Sequence, residues 1–131
     1  METIEVKQNS KVLVSDYINT VGQKKFDHQY TLLSDDVEFT GPNRSLRGAN
    51  EYVTAIRGLG SILLRNDIKR VFVDGNEACV IYDFVTDTEV GIVPTVEWLT
   101  FKQGKISAVR LIFDRYRWNE VKEEMTRRLS K

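Results

Sequence analysis

The chain has one cysteine, Cys79, one histidine, His28, and two prolines, Pro42 and Pro94, among its 131 residues. A lone cysteine rules out an intramolecular disulfide, and with it the stapled scaffolds of small secreted domains. One Cys and one His also fall short of the roughly four ligands that a structural zinc site takes. Charge of one sign is missing too: 19 basic residues meet 19 acidic ones, so there is no electropositive footprint for nucleic acid. No apolar run approaches the roughly 18 residues of a membrane span, and the opening METIEVKQNS is too polar and acidic for a secretory signal. The expectation is a cytoplasmic protein with no nucleic-acid and no membrane partner.

What is present fits one globular domain. Hydrophobic residues make up 41% of the chain, and a chain of this length buries roughly two-thirds of its unfolded surface without staples. Low-complexity stretches, internal repeats and Pro/Gly/Ser linkers are absent, so residues 1–131 read as a single domain.

Leu13, Val14, Tyr17, Ile18 and Val21 recur at helical spacing, which predicts an amphipathic helix over about residues 9–24 with Tyr17 on its buried stripe. Asp27 suits the N-cap of a short second helix carrying Tyr30, Leu32 and Leu33 and ending near Ser34 and Asp35. A brief strand, Val37 to Thr40, stops at Gly41-Pro42, and Gly48 to Leu59 reads as a third helix with Tyr52, Val53, Ile56 and Leu59 inward. From there the period changes. Ile68–Val73, Ala78–Thr86, Val93–Lys102 and Lys105–Trp118 read as strands, joined by turns at Asp74-Gly75-Asn76 and Gln103-Gly104. Asn119 is a cap for a final helix, about residues 119–130, with Val121, Met125 and Leu129 on one face.

Helices followed by a run of strands is an α+β order, in which a curved sheet wraps around the early helices and leaves a cavity. The long strands carry apolar residues at both parities, so both sheet faces are expected to be covered. The outer one, with Trp98, Ile112 and Tyr116 or Trp118, would meet a second subunit in a homodimer.

A series of short segments is similar to one family. From Tyr17 it runs through Phe26-Asp27, Leu32-Leu33, Ser34-Asp35-Asp36 and Gly41-Pro42 to Gly48. It continues at Glu77-Ala78, Val96-Glu97-Trp98-Leu99-Thr100-Phe101, Gly104-Lys105-Ile106 and Arg110-Leu111-Ile112-Phe113. Over about residues 8–118 the chain resembles a SnoaL-like or ketosteroid-isomerase-like domain of the nuclear transport factor 2-like superfamily. The resemblance implies a cone-shaped, curved, mixed or antiparallel sheet around N-terminal helices, a cystatin-like α+β barrel. It leaves the reaction open, because isomerases, cyclases, dehydratases, epoxide hydrolases and proteins without chemistry share this fold.

In ketosteroid isomerases a helix tyrosine and a strand carboxylic acid donate hydrogen bonds to a dienolate oxygen, while a separate aspartate moves the proton. The resemblance puts Tyr17 on the tyrosine position, Glu97 on the acid position and Gly41 where the aspartate would stand. It also puts Leu13, Phe39, Ile56, Val80, Tyr82, Phe84, Leu99, Val109, Leu111 and Phe113 around a largely apolar pocket for a small apolar or aromatic ligand.

Physical chemistry supplies its own reading of the acid. A carboxyl on the inward parity of a strand, flanked by Thr95, Leu99 and Phe101, is desolvated and its pKa rises. Neutral, Glu97 is a hydrogen-bond donor that with Tyr17 could hold an oxyanion; ionised, it is the single acid/base of a cyclase or dehydratase. His28, Glu38 and Asp114 are weaker candidates for a base. His28 sits near a helix start, Glu38 alternates away from Gly41, and Asp114 is expected to pair with an arginine. Two functions therefore stand side by side. One is a cofactor-independent and metal-independent isomerase, cyclase or dehydratase acting on an enolisable carbonyl compound. The other is a ligand-binding or association domain that has lost the chemistry.

Overall fold

A computed structural model describes residues 4–130. Its elements run α1 (Ile4–Gly22), α2 (Phe26–Thr31), β1 (Leu33–Thr40), β2 (Ser45–Arg47), α3 (Ala49–Arg57), a 3₁₀ turn (Gly58–Ser61), β3 (Leu63–Asp74), β4 (Glu77–Thr86), β5 (Ile92–Lys102), β6 (Lys105–Phe113) and α4 (Arg115–Leu129). The six strands form one sheet in the order β2-β1-β6-β5-β4-β3. β1 runs parallel to β6 and every other pairing is antiparallel. This is the mixed α+β architecture expected, with the sheet curved but not closed.

The stripe on α1 does what its spacing demands. Val14, Tyr17, Ile18 and Val21 are buried against Val80, Leu99 and Val109 of the concave face, in one cluster with Leu33, Val37 and Val53. α1 comes down onto β3 at its last turn, where Gly22 has no room for a side chain: a Cβ there would lie 2.8 Å from the Asn66 backbone nitrogen.

Several boundaries depart from the sequence expectation. The first helix starts at Ile4 and ends at Gly22, not over 9–24. Asp27 is not an N-cap; Lys25 precedes α2 without a side-chain cap, and Asp27 lies in the first turn. α2 stops at Thr31 because Leu33 already pairs with Ile106 of β6, so Leu33 to Asp36 are strand rather than helix end. A register shift between Leu33 and Glu38 blurs the alternation that would have signalled it. β2, three residues long, leaves no periodic signal at all. β3 begins at Leu63 and not Ile68, and register shifts at Leu63/Arg65 and Ile68/Arg70 break its alternation.

The largest correction is at the last strand. β6 ends at Phe113, and the Asp114 carboxylate accepts from the Tyr116 backbone N–H at 2.9 Å, capping α4. Asp114 rather than Asn119 is therefore the cap, its carboxylate turned to the start of the helix. Tyr116 and Trp118 consequently belong to the helix. Trp118 packs inward on Phe84 and Phe113, with ring centroids 5.9 and 5.3 Å away, instead of joining the outer face. Within α4, Val121 is buried and Met125 packs on the core, while Leu129 is exposed. Arg128 ties the end of α4 down through Asp87 at 2.6 Å and the Ser61 carbonyl at 3.0 Å. Among the described residues no helix is long and apolar enough to cross a membrane.

Candidate functional site

The open end of the curved sheet, roofed by α3 and α4, encloses a cavity of about 210 Å³. Cross-strand pairing stacks the concave residues in layers. Ala78, Leu99 and Val109 form one, Val80, Glu97 and Leu111 the next, and Tyr82, Thr95 and Phe113 the third. The layers decide which expected pocket residues reach the space. Phe39, Ile56, Tyr82, Phe84, Leu111 and Phe113 line the cavity together with Tyr17 and Glu97. Val80, Leu99 and Val109 do not; they are wholly buried in the hydrophobic core. Leu13 packs against that core and is also outside the lining.

Glu97 is 4% exposed. Its Oε2 accepts a hydrogen bond from the Tyr82 hydroxyl, and its Oε1 has no hydrogen-bond partner. Burial pushes the carboxyl up from 4.5 to about 7, against the opposing pull of the Tyr82 and Tyr17 hydroxyls. The sequence pairs Glu97 with Tyr17; in the structure the Tyr17 hydroxyl bonds to the Tyr52 hydroxyl while still pulling on the acid, and Tyr82 bonds to the acid directly. Burial, reinforced by the Glu97 charge, keeps all three phenols well above their ordinary pKa, so they remain protonated donors. In the Tyr17–Tyr52 pair one hydroxyl donates to the other, which leaves the second O–H of the pair to donate elsewhere.

Tyr52 is the participant whose place in the sequence predicts a core residue. It sits on the inward stripe of α3, stacked on Phe39 with centroids 4.8 Å apart and planes 21° from parallel. Nothing in the spacing of Tyr52, Val53 and Ile56 tells a hydroxyl aimed at another tyrosine from one buried against carbon. Trp118 and Met125, from α4, and Asn66, from β3, also line the cavity, as do Arg44 and Lys122. Neither cation contributes to the shift of Glu97, and the hydrogen-bonding groups that do are phenols.

Gly41, at the position the resemblance gives to an aspartate base, is in the cavity wall. A Cβ there would sit 3.1 and 3.2 Å from two ring carbons of Phe39, so the Phe39 ring would have to give way slightly for such a side chain to begin there. The other candidate bases lie elsewhere. His28 meets Asp16 at 3.0 Å on the exposed side of α1, and Glu38 faces Arg47 at 3.6 Å outside the cavity. Cys79, half-buried, pairs with Trp98 away from the concave layers. Among the described residues no group of His, Cys, Asp or Glu could hold a metal ion.

Comparison with solved structures bears on the fold. A protein of Kribbella flavida superposes with a TM-score of 0.77 at 23% identity, over 88% of this chain and 94% of that one. Another from the same organism, proposed to be a ketosteroid isomerase, gives 0.73 at 19% identity over 82% and 78%. A protein of Sinorhizobium meliloti proposed to be a polyketide cyclase gives 0.69 at 15% over 76% and 93%. No curated protein matches the chain in sequence. Residues 14–109 match the family model of the SnoaL-like domain, and the chain belongs to that family, with the nuclear transport factor 2-like fold.

Proposed function

We propose that the cavity binds a small, largely apolar carbonyl compound and that Glu97 shuttles a proton on it without cofactor or metal. The supporting observation is a buried carboxyl, held at about 7, with one oxygen free and phenols on the other side. Such a group is close to half ionised at neutral pH, the state in which one residue serves as both base and acid. The carboxylate removes a proton from the carbon next to the carbonyl, forming the enolate. The free O–H of the Tyr17–Tyr52 pair donates to the enolate oxygen, and the Glu97 carboxylic acid returns the proton to the same or a conjugated carbon. With Gly41 in place of a second base, both transfers fall to Glu97.

A volume of about 210 Å³ is below the ~300–1,000 Å³ of typical ligand clefts and suits one or two rings. Deuterium wash-in at the α-carbon of 2-tetralone, followed by proton NMR in heavy water, is the test. Wild type is expected to accelerate exchange, and Glu97→Gln to lose about 10²–10⁴ of the acceleration. The base-less Gly41 favours a second reading, a ligand-binding domain without turnover. Saturable binding of 2-tetralone with no accelerated exchange would establish that reading and overturn the first.

We also propose that the convex face joins two copies of the chain. Ile81, Val96 and Ile112 are in register across three strands, with Trp98 beside them, and Ile81, Trp98 and Ile112 are 36%, 42% and 57% exposed. Sedimentation should give a dimer that Trp98→Glu converts to monomer; a monomeric wild type rejects it.

A further inference from the structure

A buried polar atom without a partner leaves a desolvation cost of about 1–3 kcal/mol uncompensated, so each one in a folded protein calls for a reason. Among the described residues such side-chain atoms belong to Gln29, Asn66 and Glu97. Gln29 is not in the cavity wall, whereas Asn66 and Glu97 both are. Glu97 already has a role in the reading above; Asn66 has none.

Asn66 is 8% exposed and stands on β3 opposite Phe84 of β4. Its Nδ2 donates to the Ile18 carbonyl of α1 at 3.1 Å. That bond settles how the amide is turned. With the nitrogen held by the helix, Oδ1 is left on the other side, without a partner. The tight approach of α1 at Gly22 leaves the amide little room to swing. A trapped water is a poor explanation, because an ordered water needs two to four polar partners. Of the wall residues that the fold sets beside Asn66, Phe84 offers hydrocarbon, and the Ile18 carbonyl is already engaged by Nδ2.

An amide oxygen only accepts, so its complement is an O–H or N–H. Glu97 pairs with Val80 and Asn66 with Phe84, four residues further along β4, which offsets the two by about 13 Å along the strand. They thus address different ends of whatever fills the space between.

We propose that Asn66 is a ligand-binding residue, its Oδ1 accepting a hydrogen bond from a hydroxyl or amine N–H at the end of the ligand remote from Glu97. The ligand is then an apolar one- or two-ring body with a hydrogen-bond donor at the far end. This rests on the reading of the cavity as a small-ligand site, and is independent of whether turnover follows.

The probes are 2,6-dihydroxynaphthalene and 6-methoxy-2-naphthol, which differ in one donor hydrogen. Calorimetry on wild type is expected to show the diol binding about tenfold more tightly. In Asn66→Ala that preference should collapse towards unity, with affinity for the methoxy compound little changed. A purely structural Asn66 would lower both affinities together. Should Asn66→Ala fail to fold, the side-chain amide resonances of Asn66 in nitrogen-15-labelled wild type carry the test. They should move with the diol and stay still with the methoxy compound. Equal affinity of the two probes for wild type, or unmoved Asn66 resonances with the diol bound, overturns the proposal while leaving the ligand site in place. If neither compound binds, the cavity reading falls and this inference with it.

Discussion

Replacing Glu97 by glutamine keeps the shape of the side chain and removes its titration, and the consequence for stability can be worked from the structure. In the unfolded chain the carboxyl ionises near 4.5; in the fold it holds its proton to about 7. Below 4.5 both states are protonated and nothing is lost. As pH rises through this window the unfolded state ionises first, so stability falls, and above about 7 the folded state ionises too and the loss levels off. At about 1.4 kcal/mol per pH unit the whole loss is about 3 kcal/mol, of which about 2.5 kcal/mol falls between pH 5 and pH 8. For a chain of 131 residues this corresponds to about 9 °C in Tm, at roughly 2 cal/mol/K of unfolding entropy per residue. Urea unfolding at half-unit pH intervals, followed by tryptophan fluorescence, gives the stability of wild type and Glu97→Gln. Subtracting one curve from the other cancels the ordinary surface carboxylates and His28. The difference should decline by about 2.5 kcal/mol from pH 5 to pH 8. Parallel curves, within about 0.5 kcal/mol, would mean that the carboxyl is not desolvated, and the proton-shuttle reading would go with it.

Tyr82→Phe removes the hydroxyl that holds the ionised form of Glu97 down, so the carboxyl should titrate above its wild-type value of about 7; carbon-13 NMR of labelled glutamate measures it, and an unchanged or lower value contradicts the assignment. Gly41→Ala pushes a methyl to within 3.1 Å of a Phe39 ring that Tyr52 already backs at 4.8 Å, for an expected loss of about 1–3 kcal/mol. Combining it with Phe39→Leu, which frees that space, should recover part of the loss in a double-mutant cycle; strictly additive effects would show that Gly41 is not kept small by Phe39.

The parts of the fold that could be read early share a property. The α1 stripe, the hairpins at Gly75 and Gly104 and the face that Glu97 shares with Thr95 and Leu99 are local patterns in which each residue's environment follows from its neighbours a few positions away. The parts misread are those where register breaks or a cap competes with a strand. Lys105 to Trp118 looks like one β-rich run by composition, yet Asp114 offers its carboxylate to the Tyr116 N–H and turns the chain into helix. The bulges of β3 hid Asn66 in the same manner, since a shifted register destroys the parity that would have placed it inward.

Strand parity, which acts within a few residues, sets Glu97 on the same face of its strand as Thr95 and Leu99, and the family resemblance makes that face the concave one. Which phenol bonds directly to that acid follows from the packing of distant elements. Tyr82 is its hydrogen-bond partner, while Tyr17 turns to Tyr52, because contacts between α1, α3 and β4 depend on how whole elements cross. The same holds for the roof of the cavity, where Trp118, Lys122 and Met125 enter from a helix whose start is set by a single cap.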